Sequence, residues 1–331
     1  MHDNLLLAKP RSSDICSVSV SSNPLRDFEA IKQDSTINNM VRLGDRFGAV
    51  NTATGNAELT MGNLTYTITN YKEVGGFRPS TLQLLLAILR KFTANGGNSP
   101  KVVIPIGEYM EQRELKNRKE AIKKARADLK VLSSLKIEGS TPKSYYAFVN
   151  FADSGGIPKG SSDIIFTFGS TFYEELKKMP HMMLPSLIFK LNTQKYPHSV
   201  CFLQKISDMK HLNRGKSNED IIGVQTLLDS SPFMPTYQEI SEKCRHFKRD
   251  IIEPFRKNLD ALSDALKWEY CYRANCPLEK SEAENLTYRQ FSELKVHIMW
   301  NNYPPQKTES ETPRKRTGKK STNGKAISSA A

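Results

Sequence analysis

The side chains whose type and spacing suggest chemistry are basic, and they recur at helical intervals. Between Arg113 and Lys130 eight basic residues stand against three acidic ones, Glu114, Glu120 and Asp128. Lys116, Lys119, Lys123, Arg126 and Lys130 follow one another at spacings of three and four, with Arg118 beside them. Leu115, Ile122, Ala125, Leu129 and Leu132 make an apolar stripe offset by about a third of a turn. Such a helix has one side for a core and one for a polyanion. Taken alone, the pattern also fits a solvated charged face. A second set lies further on. Arg245, Lys248, Arg249, Arg256 and Lys257 flank an apolar stripe of Phe247, Ile251, Phe255, Leu259, Leu262 and Leu266.

Catalytic patterns are weaker. A metal-dependent nicking enzyme needs a His pair separated by one residue, plus a Tyr nucleophile. The six histidines (2, 181, 198, 211, 246, 297) hold no such pair. GKKS (318–321) and RGKS (214–217) are fragments of a phosphate loop. For RGKS the required first glycine is Lys210, and neither fragment follows a strand signal. No Ser/His/Asp spacing stands out. Cysteines 16, 201, 244, 271 and 276 are scattered, which reads as reduced thiols rather than a zinc site. No metal, cofactor or catalytic residue is expected, and the chain is read as a non-enzyme.

The formal charge is +13 and uneven: net −1 over residues 1–60, +5 over 305–331 and +9 between them. The excess calls for an anionic partner, nucleic acid first and an acidic membrane second. No stretch approaches ~20 uninterrupted apolar residues, and the N-terminal MHDNLLLAKPRSSD lacks a basic n-region, so neither a spanning helix nor a secretory signal is expected. A cytoplasmic, DNA-associated protein is the expectation.

These residues must be held by elements. Residues 1–57, rich in Ser, Asn and Thr, read as loosely ordered. ELTMGNLTYTITNY reads as a hairpin around Gly62-Asn63. A helix starting at Pro79-Ser80-Thr81 and stopped at Gly96-Gly97 leads to a strand, VVIPI, a short helix and the basic helix. The β-rich runs LKIEG, SYYAFVNFA and DIIFTFG follow. Tyr145, Tyr146, Phe148 and Phe151 could stack on unpaired bases, but a strand with one buried face is the simpler reading. Helix, strand, short helix, basic helix, β-hairpin is the order of a winged helix-turn-helix.

The order repeats: an opening helix over 182–196, another over 199–213, a short helix over 218–231, a long helical run over 239–266, then strand runs 266–274 and 293–301. A unit of about 110 residues is too long for a solenoid and reads as a duplicated domain. The fold expected is mainly α with β-hairpin wings (α+β), as tandem winged helix-turn-helix domains over 58–175 and 182–303. Residues 304–331 form a basic tail without an apolar period, expected to be disordered.

In the second unit, TLLDSSPFMPTYQEISEKCRHFKRDIIEPFRKNLDAL resembles the second winged helix of theta-type plasmid replication initiators, the Rep family. The matching positions are Leu227, Leu228, Tyr237, Phe247, Lys248, Arg249, Pro254 and Leu259. Where that family continues into an acidic-isoleucine-asparagine motif, this chain has Asn258-Leu259-Asp260. The first unit is similar by element order. The resemblance implies binding of double-stranded DNA at repeated origin sites, origin opening, recruitment of host replication proteins, and homodimers. A winged-helix transcriptional regulator without an origin role is the alternative, and a nicking enzyme a third.

Overall fold

The structure is a computed structural model that describes residues 27–40, 49–51, 54–140, 145–242, 246–273, 276–283 and 285–304. The expected tail beyond Pro304, Arg245, Cys16 and Cys244 lie outside the described residues. Strand β1 (Phe28–Lys32) and helix α1 (Ser35–Met40) come first. Next are β2 (Ala49–Asn51), β3 (Asn56–Met61), β4 (Leu64–Ile68) and α2 (Tyr71–Val74). The Gly62-Asn63 turn joins β3 to β4 as an antiparallel hairpin. The segment expected to be loosely ordered thus supplies two strands and a helix. Phe28 and Ile31 are buried, and β1 pairs along its length with a strand near residue 183. Ser/Asn/Thr-rich composition hid these few apolar anchors.

The first unit continues with α3 (Pro79–Ala94), β5 (Lys101–Pro105), α4 (Ile106–Gln112) and α5 (Arg118–Ser133). It closes with β6 (Leu135–Ser140), β7 (Tyr145–Asn150), β8 (Ala152–Gly156), β9 (Asp163–Phe168) and α6 (Ser170–Lys178). Helix α3 is apolar on nearly every side. Leu82, Leu84, Leu85, Leu86, Ile88 and Leu89 are all buried, as expected of a helix surrounded by protein. The strand leaving α5 does not simply form a hairpin wing. β6 pairs with β4 and β7 in a five-stranded sheet ordered β2-β3-β4-β6-β7. Gly139 permits this crossing: its φ is +120°, and a Cβ there would collide with the Asn63 carbonyl oxygen. Past Phe151 the chain bends into β8, which joins the separate sheet β5-β9-β8.

The second unit begins with β10 (His181–Pro185), α7 (Leu187–Lys190) and α8 (Ser199–Leu212). β11 (Ile221–Gly223), α9 (Val224–Ser230), α10 (Tyr237–Glu242), a π turn at Lys248–Ile252 and α11 (Glu253–Asp260) follow. β12 (Leu266–Arg273), β13 (Cys276–Leu278), α12 (Lys280–Ala283), α13 (Tyr288–Glu293) and β14 (Lys295–Trp300) complete it. The sheet order is β11-β14-β12-β13. Two helical expectations fail here. The opening helix over 182–196 is β10, the partner of β1, followed by one short turn of helix. Pro185 ends the strand, and the next helix begins only at Ser199. The long run over 239–266 is broken, and α11 stops at Asp260.

The architecture is therefore mixed α and β rather than mainly α, and every ladder among the described residues is antiparallel. The buried side chains of both units form one continuous cluster. Gln83 on α3 fastens the join: its Nε2 donates to the carbonyls of Ile188 and Leu191, each at 2.9 Å.

Candidate nucleic-acid interface

Helix α5 starts where the chain can cap it. Asn117 Oδ1 accepts the Glu120 amide at 3.1 Å, satisfying one of the free donors at the helix start. The turn from α4 runs through Glu114, whose φ of 51° is left-handed. α5 then buries Ala125, Leu129 and Leu132 of the stripe the spacing predicts, with Ala121 and Val131 added. Ile122 and Leu115 are only partly buried.

The opposite side of α5 carries the cations. Lys116, Arg118, Lys119, Lys123, Arg126 and Lys130 are all exposed. Lys119, Lys123, Arg126 and Lys130 line an open groove of about 690 Å³, whose other wall is Glu73, Val74 and Arg78. Among the described residues no carboxylate pairs with Lys116, Lys119, Lys123 or Lys130. Free ammonium groups at this spacing suit a row of phosphates. The two arginines act differently. Arg118 donates to Ser162 Oγ, and Arg126 Nη2 donates to the Ile157 carbonyl at 3.5 Å. Both hold the β8–β9 loop, with Lys159 on it, against the helix.

Arg78 was missed by the sequence reading. It sits at the start of α3, far from the basic run, and its neighbours give no charge pattern. Its Nη2 lies 3.3 Å from Asp128 Oδ1. Asp128 was read only as one of three acids on a basic helix. It is buried, and burial holds its carboxyl above the usual range, opposed by hydrogen bonds from Thr81 and Ser80 and by the charges of Arg78 and Arg113.

The second basic set is arranged otherwise. Ile251, Phe255, Leu259, Leu262 and Leu266 are buried and Phe247 is partly buried, so the predicted stripe faces the core. Pro254 stands in the first turn of α11, directly after the π turn. A proline lacks the amide that would bond one turn back, and the wider turn accommodates that loss. Asn258 fixes the segment to α8: its Oδ1 accepts the His198 amide at 2.9 Å, and its Nδ2 donates to the Pro254 carbonyl at 2.7 Å.

Lys248, Arg249 and Lys257 are exposed and Arg256 is half-buried. Arg249 is 64% exposed, and its Nε and Nη2 close on the two Asp250 oxygens at 2.9 and 3.3 Å. Lys257 pairs with Glu253 at 3.4 Å. Tyr237, 50% exposed, stacks on Tyr288 with centroids 4.4 Å apart, and Tyr288 meets Phe247 edge-on. Cys201 and Cys271 are buried and Cys276 is exposed, all as free thiols. Burial pushes the Cys201 thiol up to about 12. Among the described residues no cluster of His, Cys, Asp and Glu could hold a metal ion, and no helix is long and apolar enough to cross a membrane.

No family model and no curated protein matches the chain. Solved structures similar to it include these two. One is the crystal structure of the Pi initiator protein in complex with iteron DNA, at 13% identity and a TM-score of 0.44, covering 67% of this chain and 91% of that one. The other is domains 2 and 3 of RctB, at 11% identity and a TM-score of 0.44, covering 80% of this chain and 98% of that one.

Proposed function

We propose that the chain is a non-enzymatic, sequence-specific DNA-binding replication initiator of a plasmid or related mobile element, built from tandem winged helix-turn-helix domains. The observation that carries the reading is the α5 groove. Three lysines without carboxylate partners among the described residues, Lys119, Lys123 and Lys130, line one helix face together with Arg126. That helix follows a short helix and a tight turn, the arrangement by which a second helix enters a major groove. The parallel order of elements supports the duplicated domain: α3, β5, α4, α5 with sheet order β5-β9-β8, then α8, β11, α9, α10–α11 with sheet order β11-β14-β12. In each, the strand between the first two helices pairs with the last strand of the sheet.

The resemblance of the Leu227 to Leu259 stretch to theta-type initiators supplies the rest of the proposal. The protein binds repeated origin sites, opens adjacent DNA, recruits host replication proteins, forms homodimers and works in the bacterial cytoplasm. The test uses the purified chain and the replicon DNA that flanks its gene. Protection of direct repeats from nuclease, with permanganate-reactive thymines beside them, is the expected result. Protection of its own promoter without opened DNA would replace the proposal with a transcriptional regulator. Nicking of supercoiled DNA on adding a divalent metal would replace it with an enzyme.

A further inference from the structure

Arg78 is the N-cap of α3, yet it helps form the wall of the groove that α5 lines with lysines. Its side chain is 49% exposed, while Asp128, its partner, is 1% exposed. One end of the guanidinium is therefore tied to a buried anion, and the rest borders the groove.

Asp128 is an unusual choice on the buried face of α5, between Ala125 and Leu132. Its Oδ1 accepts from Thr81 Oγ1 at 2.7 Å and Ser80 Oγ at 3.0 Å, besides its contact with Arg78. Its Oδ2 is buried without a partner. A carboxylate held this way is costly to desolvate unless its charge is used. Ordering the start of α3 does not require a charge. Thr81 Oγ1 already accepts the Arg78 amide at 3.3 Å, and a neutral acceptor at 128 would serve the two hydroxyls. The negative charge does add attraction for a guanidinium. Among the described residues it is Nη2 that meets Asp128, and a guanidinium has five N–H donors. The other donors stay available to a phosphate, so one side chain can join a buried carboxylate to a bound anion. Holding it there also removes beforehand part of the rotamer entropy that a free arginine loses on binding.

We propose that Arg78 is a further DNA-contacting residue and that Asp128 is its positioning residue, an inference that rests on reading the α5 groove as the DNA interface. Arg78 adds one phosphate contact that no helical spacing reveals. Its contact is more ordered before binding than those of the lysines opposite.

Fluorescence anisotropy on a labelled random-sequence duplex, at several salt concentrations, tests this with the full chain. Arg78→Gln is expected to bind roughly 5–10-fold more weakly near 0.1 M salt, with the salt slope reduced by about one unit. Asp128→Asn is expected to bind roughly threefold more weakly, and to have no further effect in the Arg78→Gln background. Lys123→Ala is the control for the interface. If it weakens binding while Arg78→Gln changes neither affinity nor slope, the Arg78 contact is overturned and the interface stands. If neither variant matters, the groove is not the interface and both readings fall. If Asp128→Asn weakens binding equally in both backgrounds, its role is structural and the positioning claim is overturned. Should Asp128→Asn not fold, Arg78→Lys decides. A lysine keeps the charge and slope but lacks the planar five-donor fork that reaches from Asp128 to a phosphate, so loss of affinity at constant slope supports the proposal, and wild-type affinity overturns it.

Discussion

On α5 and just before it, Lys116, Lys119, Lys123 and Lys130 make no ion pair among the described residues. On the segment from Lys248 to Asp260, Arg249 is closed on Asp250 and Lys257 on Glu253. The first face meets an anion without breaking anything. The second must exchange an internal carboxylate for its target. An exposed ion pair is worth about 0–1 kcal/mol, whereas a bidentate arginine–guanine contact discriminates by about 1–3 kcal/mol. Leaving Asp250 for a guanine is thus favourable, and leaving it for a lone phosphate gains little. The lysine face suits general affinity and the arginine face suits selection.

The largest effect is expected from the lysine face. Replacing Lys119 and Lys123 together with Ala should weaken binding roughly 50-fold near 0.1 M salt and lower the salt slope by about two units. The loss should be the same on a selected duplex and on its scrambled counterpart, measured by anisotropy. A loss confined to the selected duplex would mean that α5 reads bases, and the contrast between the faces would collapse.

A smaller effect sharpens the other side. Asp250→Asn releases Arg249 without removing it. Random DNA should then bind roughly two- to fivefold more tightly, the measure of an exposed pair lost. The selected duplex should gain less, so the preference ratio falls. An unchanged ratio would show that Asp250 does not restrain Arg249 in solution.

The smallest expected effect concerns pH. Asp128 has its folded-state pKa raised, mainly by burial. Protonation is therefore easier in the fold than in the unfolded chain. Its contribution to stability is most favourable below the unfolded carboxylate value, near 3.9, and declines as pH rises through the folded value. The groups acting on it are Arg78 at the N-cap of α3, Ser80 and Thr81 on α3 and Arg113 beyond α4; both arginines stay charged throughout. The difference in Tm between Asp128→Asn and the unmodified chain should move in favour of the Asn variant as pH rises from about 4. A difference that does not vary with pH would contradict the burial assigned to this carboxyl.

The two faces also differ in how far the sequence reveals them. The α5 and α11 apolar stripes were legible because a helix that buries one face repeats its pattern every three or four residues, as Ala125, Leu129 and Leu132 do. Arg78 was not legible, since it reaches the groove through tertiary packing of α3 on α5. Nor was the pairing of Arg249 with Asp250, which depends on the conformation at the π turn. β1 and β10 were missed for a related reason. Each has only five residues, and their apolar side chains match across a separation no local pattern can show. The diversion of β6 into a five-stranded sheet rests on Gly139, which in sequence looks like an ordinary turn glycine.

The division of labour between the faces is tested most directly by one paired titration. A duplex selected in vitro with the purified chain and a scrambled duplex of equal length are each titrated with Lys123→Ala and Arg249→Ala at several salt concentrations. Lys123→Ala should weaken both duplexes by the same factor and reduce both salt slopes by about one unit. Arg249→Ala should cost about 1–3 kcal/mol on the selected duplex alone and flatten preference at one or two base pairs. Equal losses on both duplexes for Arg249→Ala would contradict the account, because Arg249 would then hold phosphate like any lysine of α5.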